Sequence, residues 1–316
     1  MARVLLTGST GFIGQRVAGT LRSAGFSITR AIRHFDRDEK AIGVGAIGAE
    51  TDWRRALDGC DAVVHLAART PAAGVSTDEF TAVNDLGTAR LAEQAREAGA
   101  KKFILMSSIF AVTGNSNEHV VNDFSPRSTS LPYGRSKLAA EAHVEAFASD
   151  GRTGVSLRPP LVYGATAKGN WNLLQKLAAT GLPLPFGLVS NRRSMISVDN
   201  LAEAVLVALL RASPECSGAY AVADKESLSL SQIIRYLREG MGKPARLVPV
   251  PTSFLAGPLN LTKRGVIAQS LFGTLEVDAT RFFQTFGWFP TESACNAVVR
   301  SGREFANHQR ASSIHT

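Results

Sequence analysis

Cysteine is scarce in this chain: Cys60, Cys216 and Cys295 are far apart and odd in number. With no CxxC pair they suggest neither a disulfide framework nor a metal site, and a reducing cytoplasm is the simplest setting. Long apolar runs are also missing. The apolar stretch within the opening MARVLLTGSTGFIG is too short for a signal-peptide core or a membrane span. The longest run elsewhere, Ala204 to Leu210, stops at Arg211. A soluble protein without a membrane partner is expected. Aromatic residues make up only 7% of the chain, and none interleave with the basic residues as a nucleic-acid stacking platform requires. The net charge of +8 is spread over pairs such as Arg54-Arg55, Lys101-Lys102 and Arg192-Arg193. That pattern argues against nucleic acid and for a soluble surface with phosphate-binding positions.

What is present is an ordinary globular composition, 45% hydrophobic and 20% charged over 316 residues with 28 glycines. Through residue 165 short apolar runs alternate with helical patterns. Strands are expected at Arg3–Thr7, Ser27–Ile32, Ala62–Leu66, Lys102–Ser107 and Val155–Arg158, and helices at Ile13–Ala24, Trp53–Leu57, Asn84–Ala98 and Tyr133–Ala148. Near-continuous apolar strands between helices predict an α/β, doubly wound parallel sheet. Beyond Gly164 the pattern breaks at Gly181–Pro185, and Asp199 reads as the N-cap of a helix through Leu210. A strand at Ala219–Val222 returns to the sheet, and helices are expected near Leu230–Met241 and Thr280–Gly287, with a proline-rich link at Pro244–Pro258. Residues 1–165 with about 196–222 then form a dinucleotide-binding core. Residues 166–195 and 223–300 form a substrate lobe, and 301–316 a polar tail, disordered from about His308.

The glycines Gly8, Gly11 and Gly14 stand in GxxGxxG spacing between the first strand and the first helix. The first permits the tight turn, the second lets backbone amides approach a pyrophosphate, and the third allows the helix to pack closely. The helix opening at Phe12 and Ile13 adds a positive dipole end. At the end of the second strand no acid appears before Asp36, while Arg33 is placed to meet a 2′-phosphate, which tilts the cofactor from NAD toward NADP.

Tyr133-Gly134-Arg135-Ser136-Lys137 is a YxxxK pattern opening a helix. Residues i and i+4 share a face, so the ammonium of Lys137 is expected to lower the Tyr133 pKa and fit the phenol for proton exchange with a hydroxyl or carbonyl. Ser108, at the end of the strand through Met106, is the candidate to polarise the substrate oxygen, with Ser107 the alternative.

Together TGSTGFIG, HLAA (His65–Ala68), VNDLGT (Val83–Thr88), SSIFAVTG, YGRSK and LRPPLVYG (Leu157–Gly164) resemble, in order, the extended short-chain dehydrogenases/reductases of the NAD-dependent epimerase/dehydratase family. The resemblance covers roughly residues 2 to 290. It implies that Asp52 contacts the adenine and that Leu66, Ala67 and Ala68 line the cofactor groove. It further implies that Asn84 supports the active site and that Pro159–Val162, including Pro160, passes near the nicotinamide. The stretch from Lys168 through Asn170 to Ser194 resembles a bacterial subgroup acting on UDP-hexoses, as 4-epimerases or as reductases of UDP-4-keto sugars. In it an arginine grips the diphosphate, matching Arg193 best and Arg192 next. Two departures stand out. Leu161 occupies a position where many sugar-nucleotide enzymes carry Asn, and Gln269-Ser270-Leu271 stands where a later phosphate-binding arginine is expected, with Arg264 and Arg281 nearby. The resemblance also implies a homodimer through the helices around Asn84–Ala98 and Tyr133–Ala148. A reductase of non-nucleotide ketones and a non-catalytic NAD(P) sensor are the competing expectations.

Overall fold

A computed structural model describes residues 2–33, 41–260 and 265–314 of the chain. The first strand, β1 (Arg3–Thr7), leads through the glycine turn into α1 (Phe12–Ser23). There follow β2 (Ser27–Ile32), β3 (Ala41–Gly43), the short α2 (Arg54–Leu57), β4 (Ala62–His65) and α3 (Thr77–Phe80). A π-helical stretch, Thr81–Leu86, carries α3 into α4 (Gly87–Glu97), and β5 (Lys102–Met106), α5 (Pro132–Phe147) and β6 (Thr153–Arg158) complete the first half.

The sheet has seven strands in the order β3-β2-β1-β4-β5-β6-β9, all parallel, with β9 at Gly218–Ala221. Side chains alternate faces along a strand. Accordingly Val4 and Leu6 enter the core on one side of the sheet and Leu5 the core on the other, while Ile104 and Met106 divide from Phe103 and Leu105 in the same way. Chain order reverses between β1 and β4, and beyond the carboxyl ends of strands at such a reversal open α/β sheets bind their ligands. This is the doubly wound sheet that the sequence predicts.

The chain after β6 is shared between two cores: Leu201, Val205, Phe282 and Phe286 join Val4 and Leu6 against the sheet, whereas other residues build a second core. A two-stranded parallel ladder, β7 (Leu161–Tyr163) with β8 (Met195–Ser197), flanks α6 (Asn170–Ala179). Then come α7 (Val198–Arg211), α8 (Leu230–Gly240), α9 (Thr252–Asn260), α10 (Gly265–Phe272), α11 (Thr280–Phe286) and α12 (Ala294–Ile314). Trp171, Leu237, Val298 and Phe305 are buried together in this lobe.

Three local expectations are corrected. The cap of α7 is Ser197, whose Oγ accepts from the Asn200 amide at 3.1 Å; Asp199 lies inside the first turn and pairs with Arg16 and Arg300. The proline-rich link contains a helix, α9. Residues 301–314 are no tail but the second half of α12, fixed because Gly302 brings the helix so near α8 that a Cβ there would meet the Leu237 carbonyl oxygen at 2.3 Å. Ser301 receives the Trp171 indole N–H at 3.1 Å. His308 falls within this helix.

Candidate active site

The glycine turn follows from what its neighbours leave free. Gly8 has φ +69°, and a Cβ on it would lie 2.7 Å from the Ala67 amide nitrogen. A Cβ on Gly14 would meet the Gly8 carbonyl oxygen at 2.0 Å. Gly11 is the N-cap of α1, which has no side-chain cap and no acid in its first turn, and the buried Ser9 hydroxyl beside it has no partner. Unclaimed amides at a helix start, approached by backbone alone, fit a dinucleotide pyrophosphate. Phe12 and Ile13 are half-buried, Phe12 reaching Gly164 of the second lobe. Arg33 is exposed at the end of β2, and Asp36 lies outside the described residues. Asp52 precedes α2 and binds Arg54 through both carboxylate oxygens, which holds its pKa down at about 2.

A buried chain of polar groups links this turn to the tyrosine helix, and its direction can be worked out. The Thr7 Oγ accepts from the Leu66 and Ala67 amides at 3.2 and 3.1 Å, so its proton goes to His65 Nδ1 at 2.7 Å. His65 Nε2–H then donates to Thr88 Oγ at 3.2 Å, and Thr88 donates to the Asn84 carbonyl at 2.6 Å. Complete burial lowers the His65 pKa to about 3, keeping the ring neutral as this pattern requires. Asn84, within the π-helical stretch, accepts from the Arg69 amide at 2.7 Å. It also donates to the Arg69 carbonyl and to Ser136 Oγ, each at 3.0 Å. Ser136 donates to the Tyr133 carbonyl at 2.8 Å. Asn84 thus braces the chain entering Thr70–Ala72 and the first turn of α5 rather than reaching toward Tyr133 Oη. His65 and Thr88 went unremarked in the sequence, although both sit inside the quoted motifs.

Pro132 opens α5 at a position where its missing N–H costs nothing. Gly134 lets the helix start press against the chain after β5, since a Cβ would meet the Phe110 carbonyl oxygen at 2.1 Å. That approach brings the Tyr133 phenol close to the Ser108 hydroxyl, and both line the same cavity. Ser108 also caps a short turn by accepting from the Phe110 amide at 3.2 Å. Ser107 faces elsewhere: its hydroxyl donates to Glu141 Oε1 at 2.5 Å, and Glu141 is gripped by the fully buried Arg158 at 2.6 and 2.8 Å.

The expected lowering of the Tyr133 pKa is reversed. The phenol is edge-on to Phe80 at 5.7 Å and Phe110 at 6.4 Å, and burial pushes it up to about 12 against the lesser, lowering influence of the nearby Ser108 hydroxyl. Burial also takes Lys137 down to about 8, opposed by Glu141, while its Nζ donates to the Met106 carbonyl at 2.8 Å. Desolvation here outweighs the neighbouring charge.

Ser108 and Tyr133 line one wall of a cavity of about 790 Å³, together with Pro160, Leu161 and the rings of Phe80 and Phe110. Lys168, Asn170 and Arg193 line the same cavity. Arg193 donates to the carbonyls of Asn115 and Gly273 at 2.8 and 3.3 Å and pairs with no carboxylate among the described residues. Burial lowers its pKa to about 10. A half-buried guanidinium held by carbonyls retains donors for phosphate oxygens. Arg192 points away, exposed and paired with Glu276 at 2.7 Å. Ser270 and Leu271 line the cavity at the place of the expected second phosphate-binding arginine. Arg281 is occupied with Asp123 and Tyr220, and Arg264 lies outside the described residues.

Residues 4–223 match the NAD dependent epimerase/dehydratase family. The UDP-glucose 4-epimerase of Vibrio cholerae is 33% identical over 314 residues, spanning 96% of this chain and 95% of that protein. The N-acetyl-alpha-D-glucosaminyl-diphospho-ditrans,octacis-undecaprenol 4-epimerase of Escherichia coli O157:H7 is 29% identical over 265 residues, 80% and 77% of the two chains. The crystal structure of UDP-N-acetylglucosamine 4-epimerase from Bacillus cereus superposes with a TM-score of 0.79, covering 98% of this chain and 100% of that one at 20% identity. The chain belongs to the NAD-dependent epimerase/dehydratase family and is an NAD-dependent enzyme of the extended short-chain dehydrogenase/reductase type.

Proposed function

We propose that the enzyme carries out oxidoreduction at C4 of a hexose held on a diphosphate, with a UDP-hexose as first candidate, as a 4-epimerase or a 4-keto-sugar reductase. The observation that carries this reading is the sharing of one cavity by the Tyr133–Ser108 pair and by Arg193. Arg193, with Asn170 beside it, takes the diphosphate, while Ser108 Oγ donates to the sugar C4 oxygen and Tyr133 Oη exchanges the proton there. Lys137, held by the Met106 carbonyl, supplies positive charge from the turn of α5 after Tyr133. Bound between the Gly8–Gly14 turn and the Ala67–Ala68 and Pro160 segment, NAD supplies the hydride chemistry. Exposed Arg33 favours a 2′-phosphate and hence NADP, and Asp52 is assigned to the adenine edge. Asn84 acts as a positioning residue. Arg192, in its ion pair outside the cavity, contributes charge only. The free cysteines fit a reducing compartment such as the cytoplasm.

A homodimer through α4 and α5 fits the groove where Leu86, Ala89 and Ala146 lie beside Arg90, Glu93 and His143. A monomeric mass in light scattering would remove it. A second reading, reduction of a non-nucleotide ketone, draws on the apolar wall around Tyr133, with Leu161 in place of an amide.

The deciding experiment incubates the enzyme with UDP-glucose, UDP-N-acetylglucosamine and UDP-4-keto-6-deoxy-N-acetylglucosamine, with NAD(H) and NADP(H). Interconversion of C4 epimers without net cofactor change makes it an epimerase, and NAD(P)H consumed one for one with the keto sugar makes it a reductase. Replacing Tyr133 with Phe abolishes either while cofactor still binds. No turnover of any of them, with cofactor bound, removes the sugar reading and leaves the ketone one.

A further inference from the structure

The distribution of acids along the chain is uneven in a way that bears on one face of the substrate lobe. No Asp or Glu occurs between Asp150 and Asp199, or between Glu239 and Glu276. At the chain's overall frequency of 27 in 316, these two stretches would hold about seven. They carry cations instead, among them Lys176, Lys243 and Arg246 on the surface.

The fold lays parts of the two stretches side by side. Leu184 pairs with Leu247; the Val248 amide donates to the Leu184 carbonyl at 2.8 Å and the Gly187 amide to the Val248 carbonyl at 2.9 Å. Lys243 Nζ lies beside Gly181. On this seam Leu182 is 63% exposed and Leu188 52%; Phe254, on α9, which the chain enters directly from the seam at Val248, is 73% exposed. Leu173 and Lys176 share the outward side of α6, which runs into the same loop. Lys176, Lys243 and Arg246 enter no ion pair among the described residues. The protruding apolar side chains are therefore set among cations that form no ion pair among the described residues, with exposed Glu239 the neighbouring acid at the end of α8.

We propose that this face docks the enzyme on an anionic membrane surface. Leucine and phenylalanine side chains at the tips of short segments enter the boundary between headgroups and acyl chains, and surrounding cations are drawn to anionic lipid. A second copy of the chain is a poor occupant. A two-fold contact through this face would set its cations against the same cation-bearing face of the partner, with no acid from either stretch to offset them. The sequence holds neither a span nor clustered cations, which argues for no membrane partner; the contrary signal lies in the missing acids and in a seam that only folding assembles.

The test is co-sedimentation of the full chain with vesicles of phosphatidylcholine alone and of phosphatidylcholine containing about one third phosphatidylglycerol. The protein should bind the anionic vesicles at low salt, ignore the neutral ones, and be released at high salt as the screening length shortens to a few ångströms. The double variant Leu182→Asp, Phe254→Asp should cut the bound fraction about tenfold with its melting temperature unchanged, because both side chains are exposed. Equal binding to the two kinds of vesicle, or none to either, overturns the proposal. So does binding that survives the double variant, which would assign it to charge alone. A solution mass that halves in the variant would give the face to a second copy and overturn it as well.

Discussion

Asn84 and Ser136 are joined by a 3.0 Å hydrogen bond from Nδ2 to Oγ, so a residue of the π-helical stretch holds the first turn of the helix that carries Tyr133. The other amide proton and the amide oxygen of Asn84 are spent on Arg69. Asn84→Ala releases all three bonds in a buried place and should cost about 2–4 kcal/mol of stability in urea unfolding. It should lower kcat about tenfold or more through a loosened Tyr133, leaving the pH dependence of kcat in place. A shifted pH profile at unchanged stability would instead put Asn84 in the proton transfer itself.

The two adjacent serines should separate cleanly. Ser108→Ala removes the cavity-facing hydroxyl and should lower kcat about 10²-fold with cofactor affinity kept. Ser107→Ala leaves Glu141 one donor short and should cost about 1–2 kcal/mol of stability with kcat near wild type. The opposite pattern would interchange their roles.

Lys137 gives a pH signature in stability. Its pKa is about 8 in the folded protein against 10.5 for an unperturbed lysine, so between those values the unfolded chain binds more protons. Unfolding free energy therefore rises with pH across that window, and the cost of burying the cation is full below pH 8. Lys137→Met should abolish activity yet remove this rise, amounting to about 3 kcal/mol between pH 8 and 10.5, in chemical denaturation of the two proteins. A parallel rise in both would reassign it to other groups.

Arg158 is the sole cation bonded to the buried Glu141 carboxylate among the described residues. Arg158→Met strands that charge and should cost about 3–5 kcal/mol. Adding Glu141→Leu should restore much of the loss, because two apolar side chains leave no charge to solvate. Denaturant midpoints of the single and double variants measure this coupling.

The parallel sheet was legible because strands buried on both faces read as unbroken apolar runs, with Val4–Leu6 and Phe103–Met106 the clearest. Gly8, Gly14 and the spacing of Tyr133 from Lys137 were legible because each answers a local steric or periodic demand. What escaped depends on partners distant in the chain. Either Ser197 or Asp199 could cap α7 by composition, and Arg16 and Arg300 draw Asp199 away. The upward shift of the Tyr133 pKa comes from Phe80 and Phe110, neither on its helix. Ser107 is turned aside by Glu141, 34 residues later. The polar end of the chain looked unanchored because the residues that hold it, Trp171 and Leu237, belong to other helices.

The last helix also ties the two lobes together. Arg300 binds Asp199 on α7, and the same carboxylate binds Arg16 on α1, the helix that begins at the glycine turn. The final helix is in effect a splint between the beginning and the end of the polypeptide. Shortening the protein at residue 300, where the sequence invites a trim, would cut away Ser301, Gly302 and Phe305 and unseat Trp171 behind the cavity. Such a truncation should keep its grip on dinucleotide while losing the shape that selects a substrate, turning a two-ligand enzyme into a one-ligand protein.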